Sequence, residues 1–118
     1  MRVKRGAVPN TMGNGIDIGE TLNKLIVALC DDYDRRGELI ELGVMPRRVD
    51  MELRYLNFKI YDATAEVVGE GDAEKFIHEI GKKIGYARTS FSDISEGTYK
   101  KYKLEVIKNI ARRMYLVS

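Results

Sequence analysis

The sequence predicts a small all-α domain of four to five helices. Three observations carry that expectation. Apolar residues recur at steps of three and four in five stretches, the pattern of one-sided helices. No stretch alternates apolar and polar residues with period two, so strands are not expected. Proline or glycine falls between the periodic stretches, where helices stop. A chain of 118 residues suits one domain. A composition 44% hydrophobic and 32% charged is that of a globular protein, not a disordered one.

Residues 1–16 read as a flexible basic arm. Pro9, Asn10, Gly13, Asn14 and Gly15 punctuate it, and Arg2, Lys4 and Arg5 give it a charge of +3. Gly13, Gly15 and Gly19 match neither the dinucleotide fingerprint nor the P-loop spacing. Residues 17–118 read as a single helical domain. Its first helix spans 17–42, with Asp17 and Glu20 at capping-box spacing. Ile18, Leu22, Leu25, Ile26, Leu29 and Tyr33 form its apolar face, which Leu39, Ile40 and Leu42 extend past Gly37 to Gly43. Pro46 breaks the chain, and Asp50 is placed to cap a second helix. There Val49, Leu53, Leu56, Ile60, Ala63 and Val67 recur at core-facing spacing, and Gly69 and Gly71 end the run. Asp72 is placed to cap a third helix carrying Phe76, Ile77, Ile80 and Ile84 up to Gly85. A last helix is expected from Thr98 to Leu116, burying Leu104, Ile107, Ile110, Ala111 and Met114.

Several function classes drop out. The longest apolar run, Leu25 to Cys30, is far short of the ~20 residues of a membrane span. No signal peptide is recognisable, so the expected location is the cytoplasm. A single cysteine, Cys30, and a single histidine, His78, leave no disulfide framework, no cysteine or histidine metal site and no triad. Cys30 reads as a small core residue and His78 as a surface one. Asp31, Asp32 and Asp34 are grouped, but without EF-hand spacing they read as a solvated helix face. No catalytic residue, metal or cofactor is expected. The net charge is only +2, yet from Gly81 onward nine bases face three acids, a gathering of positive charge suited to phosphates.

The segment Ile77 to Gly97, IHEIGKKIGYARTSFSDISEG, meets the demands of a helix-turn-helix. Gly81 is the small residue for a close helix crossing, flanked by core-facing Ile80 and Ile84. Gly85 is placed to take the positive φ of the turn. Tyr86 is the first buried side chain of the turn, and Phe91 and Ile94 are the buried side of a second motif helix over 88–95. Arg88, Thr89, Ser92 and Asp93 remain on its outer face, polar as a helix entering a major groove requires.

This segment resembles the Cro/repressor-type (XRE) helix-turn-helix family. That family has a helix ending in Lys-Leu-Gly, a polar turn, a recognition helix and then Glu-Asn-Gly, which stands here as Ser95, Glu96 and Gly97. The resemblance implies that Arg88, Thr89 and Asp93, with Ser92 beside them, contact bases. It also implies that Lys100, Lys101 and Lys103, with Lys82 and Lys83, contact phosphate. Gly81 departs from the family, which has alanine there, at ~1 kcal/mol of helix propensity.

A second register fits ISEGTYKKYKLEVIKNIARRM, which resembles the end of sigma-factor-like phage regulators. There a Ser-x-x-Thr turn opens the recognition helix, Tyr99, Lys100 and Lys103 become the readers, and the preceding helix lies near 90–94. Both registers imply a sequence-specific regulator of phage or mobile-element type that binds double-stranded DNA. The helix over 17–43, or the seam over 49–67, is then expected to form a homodimer reading paired half-sites. The rival reading is a helical protein–protein interaction module in which the C-terminal motif is only packing.

Overall fold

A computed structural model describes residues 19–114. They form five α-helices: α1 (Gly19–Asp31), α2 (Tyr33–Leu42), α3 (Arg47–Val68), α4 (Ala73–Gly81) and α5 (Glu96–Arg113). Two 3₁₀ turns, Glu70–Asp72 and Tyr86–Arg88, complete the order, and no strand occurs among the described residues. The all-α expectation holds. The basic arm and the Asp17 cap lie outside the described residues.

The core gathers one stripe from each long element. Ile26 and Cys30 of α1, Ile60 and Ala63 of α3, Phe76, Ile77 and Ile80 of α4, and Val106, Ile107, Ile110 and Ala111 of α5 form one buried cluster. α3 packs on both α4 and α5, α1 covers α4, and α2 packs on α3. α3 and α5 run antiparallel. Asn109 Nδ2 donates to the Ala63 carbonyl at 3.0 Å, and Arg113 reaches both Asp62 and Glu66. The molecule is only 20 Å thick, about two helix layers.

Four boundaries differ from expectation, each for an identifiable reason. The helix expected over 17–42 is two helices that break at Asp32. Neither glycine nor proline causes the break. Buried Arg36 reaches back from α2 and donates to the Leu29 carbonyl in the last turn of α1, at 2.6 Å, supplying a helix-end carbonyl with a partner. Its Nε donates to Asn57 Oδ1 on α3, also at 2.6 Å, and Asn57 Nδ2 donates to the Tyr33 carbonyl at 3.1 Å. The corner between α1 and α2 is thus held by a third helix.

At the start of α3, Pro46 is the N-cap residue, and Asp50 lies in the first turn paired with Arg54 at 2.7 Å. Asp72 precedes α4 but makes no side-chain cap bond. The third difference is the end of α4, which comes at Gly81 and not at Gly85. The Ile84 N–H donates to the Glu79 carbonyl and the Lys83 N–H to the Ile80 carbonyl, the paired bonds of a Schellman ending. The left-handed position of that ending is taken by Lys83 at φ 58°, whereas Gly85 is extended at φ −81°. The fourth difference is α5, which opens at Glu96 with Ser95 accepting from the Thr98 N–H at 3.2 Å.

Gly81 does sit at a close crossing, but its neighbour is α1. A Cβ there would lie 2.5 Å from Asp31 Cα and 2.8 Å from the Cys30 carbonyl carbon. Backbone atoms cannot yield as a flexible side chain can. We therefore expect Gly81→Ala to destabilise the fold by about 1–3 kcal/mol through overpacking, against the ~1 kcal/mol that alanine adds to helix propensity. Urea unfolding that finds the variant more stable than the parent would show that the α1–α4 crossing is looser than described.

Candidate nucleic-acid interface

Residues 82–95 connect α4 to α5, and the helix expected over 88–95 is not formed. Only Tyr86–Arg88 makes a 3₁₀ turn, and Thr89 is extended at φ −68°, ψ 150°. The physical reason lies in Thr89, Ser90, Ser92 and Asp93, which compete with the backbone for hydrogen bonds and weaken helices. Here the competition is visible. Thr89 Oγ1 accepts from the Phe91 N–H at 3.1 Å. The Ser90 N–H donates to Glu79 Oε2 at 2.8 Å, which removes it from any helical ladder.

Glu79 is the hub of this connection and is itself 4% exposed. Its Oε2 also accepts from the Ser90 hydroxyl at 2.6 Å, and its Oε1 accepts from the Thr89 hydroxyl. The Tyr99 hydroxyl lies 2.8 Å from Glu79 Oε1 and 2.8 Å from the Ile84 carbonyl oxygen, so its one proton serves two acceptors. Burial opposes ionisation of Glu79. The bonds from Ser90, Thr89 and Tyr99 outweigh it and hold the carboxyl below the usual glutamate range. Burial and the Glu79 carboxylate push the Tyr99 phenol up to about 12. Phe91 anchors the far end of the connection edge-on to Phe76, with ring centroids 5.3 Å apart. Tyr86 closes it by donating to the Ile94 carbonyl at 2.7 Å.

The residues expected to read bases separate. Arg88, Ser92 and Asp93 are exposed on the connection, while Thr89 is half-buried and committed to Glu79. Asp93 lies on the side of Val67 and Phe76, away from the lysines. Lys83, Lys100 and Lys103 are brought together around one groove of about 550 Å³ between α1, α4 and α5, whose apolar wall includes Val27 and Leu104. Lys82 is exposed and paired with Asp31 at 2.9 Å. Lys100 is exposed and paired with Glu96 at 3.0 Å, and Lys101 is exposed beside it. Lys103 turns inward, donating to the Ile84 carbonyl at 3.0 Å above the Tyr99 ring, and burial lowers its pKa. Tyr99, the first reader in the sigma-like register, is 1% exposed and part of the core. The helix which that register places near 90–94 is absent.

The remaining candidates resolve simply. His78 is exposed on α4. Burial pushes the Cys30 thiol up to about 12, leaving little thiolate for chemistry. Asp32 lies 3.8 Å from Arg36 and Asp31 pairs with Lys82. Among the described residues no group of three or more His, Cys, Asp or Glu side chains is placed to hold a metal. No described helix is long and apolar enough to cross a membrane. Sequence reasoning missed Glu79. The run of hydroxyl residues at 89–92 was a signal, since these groups seek an acceptor when the segment is not helical. Comparison with family models, curated proteins and solved structures finds no match for this chain.

Because the folded-state pKa of Glu79 is depressed, its ionised bonds stabilise the protein above the ordinary value of 4.5. That contribution is lost as pH falls from 4.5 toward the lower folded-state value. Glu79→Gln should cost about 1–3 kcal/mol at neutral pH, and the gap to the parent should narrow through that acidic window. Urea titrations of both proteins at a series of pH values measure it. A gap that stays constant from neutral to acid pH would remove the ionised carboxylate from the account.

Proposed function

We propose that this protein binds double-stranded DNA as a transcriptional regulator, with the first turns of α5 as the element that enters the major groove. One observation supports this most. Glu96, Gly97, Lys100 and Lys101 stand exposed at the start of α5, while Val106 to Ala111 of the same helix are buried between its neighbours. A helix held by Tyr99 and by its C-terminal half, with Lys100 and Lys101 exposed on the other face of its first turns, has the form of a recognition helix, whose first residues meet base edges. Its diameter of ~10–12 Å matches the ~12 Å major groove. α3 and α1 pack on it, and α4 reaches its first turn through the bond from Tyr99 to Glu79.

Lysines at 100 and 101 are suited to guanine edges and to phosphate alike. Arg88, Lys82 and Lys83 flank them on the connection as phosphate contacts. Lys83 adds a second argument. A lysine in the left-handed conformation costs ~1–2 kcal/mol that glycine avoids, and such strain tends to sit at functional positions. Interaction with a protein partner alone would leave the basic end of α5 without a role.

Two measurements test the reading. Binding to duplex DNA, followed by fluorescence anisotropy across a salt series, should weaken for Lys100→Ala/Lys101→Ala, with the salt slope reduced by about 2. Lys83→Gly should weaken binding in the same assay while raising unfolding free energy by about 1 kcal/mol. If the intact protein binds no duplex at low salt, DNA binding is excluded and the interaction-module reading replaces it.

A further inference from the structure

α3 is 22 residues long, and its neighbours cover less than its full length. Ile60, Ala63 and Thr64 are buried, with Leu53, Leu56 and Asn57 half-buried along the same side. α5 ends opposite Asp62, so the N-terminal turns of α3 have α2 beside them but not α5. On the face turned directly away from the core stand Met51, Tyr55 and Phe58, which are 57%, 59% and 61% exposed. Their spacing of four and three places them on one line along the helix. Leu42 at the end of α2 and Val44 in the turn before α3 are also exposed. Single exposed apolar side chains are ordinary, but a continuous stripe of large ones marks a contact surface.

Charge identifies the occupant. The stripe begins at Arg47 and Arg48 and ends at Asp62 and Glu66, whose two carboxylates share one arginine, Arg113. One end carries two arginines with Glu52 beside them, and the other two carboxylates that share Arg113, with Lys59 over the Tyr55 ring between them. We infer that this face binds the same face of a second copy of the chain, antiparallel about a two-fold axis between Arg54 and Tyr55. In that register Met51 faces Phe58 of the second copy, and Arg47 faces its Asp62. Arg54 meets the ring of Tyr55 across the axis, a cation–π pairing. A two-fold contact is self-complementary by construction, which a stripe with opposite charges at its ends satisfies only when the copies run antiparallel. Residues 1–18 are a poor match, because Arg2, Lys4 and Arg5 would add positive charge to a face that already carries Arg47, Arg48 and Arg54. This dimer uses the side of α3 opposite the 49–67 seam, which apart from exposed Val49 is turned to the chain's own core. It does not depend on the DNA reading.

Light scattering without DNA should give twice the chain mass at high micromolar concentration. Phe58→Asp should give a single-chain mass with an unchanged far-ultraviolet circular dichroism spectrum, since Phe58 carries no core contact. Register is tested by oxidation of Met51→Cys and Phe58→Cys chains, with Cys30 buried and unreactive. An equal mixture should yield the mixed disulfide. Met51→Cys alone should not, because seven helical residues separate the like positions by ~10 Å, beyond the ~7 Å limit for a disulfide. A single-chain mass for the parent at every concentration overturns the inference and leaves the stripe to residues 1–18 or to a different protein. A dimer that survives Phe58→Asp, or that cross-links Met51→Cys to itself, overturns it equally.

Discussion

The carboxylate of Glu79 organises the half of the molecule that carries the basic surface. It sits on the buried side of a nine-residue helix, where an unpartnered charge would be costly. Four donors answer it: the N–H and hydroxyl of Ser90, the hydroxyl of Thr89 and the phenol of Tyr99. Three come from the connection and one from α5. A single charge therefore fixes the path of the chain after α4 and the position of α5 relative to it. Tyr99 passes the constraint on through its contact with the Ile84 carbonyl, which Lys103 also meets. Position in α5 is thus set by polar bonds at its start and by apolar packing at its end.

The same arrangement explains why the expected contact residues divide into two groups. Lys103 and Thr89 belong to the framework, because their polar atoms complete bonds inside it. Lys82, Lys83, Arg88, Lys100 and Lys101 are held at its surface. Lys83 is the extreme case, accepting an unfavourable backbone conformation at the end of α4. The ion pairs Lys82–Asp31 and Lys100–Glu96 are solvent-exposed, so each contributes little to stability and yields readily to a phosphate.

Where α4 meets α1, beside the lysine-lined groove, the constraint is steric. Gly81 lets α4 lie against the end of α1, and Arg36 and Asn57 hold α2 to α3 just beyond that end. These contacts draw α1, α2 and α4 inward. Met51, Tyr55 and Phe58 stay uncovered because they lie on the side of α3 opposite the one its neighbours pack on.

The sequence alone determined the helical class, the core residues of α3 and α5 apart from Val49, which is exposed, and the need for a small residue at 81. Each rests on local information: periodicity, breakers and the volume available at a crossing. It also pointed to the basic C-terminal region, since charge counts need no fold. The break at Asp32, the irregular path of 88–95 and the end of α4 at Gly81 were decided in the three-dimensional structure. The first two depend on bonds between positions distant in the chain, Arg36 with Asn57 and Glu79 with Ser90 and Tyr99, and the third on a local ending that Lys83 completes in the left-handed conformation, none of which periodicity encodes. Apolar spacing over Tyr86, Phe91 and Ile94 correctly marked anchored residues, but a well-bonded loop can bury the same positions as a helix. Which lysines face solvent was decided last, by whether a carbonyl such as that of Ile84 lay within reach.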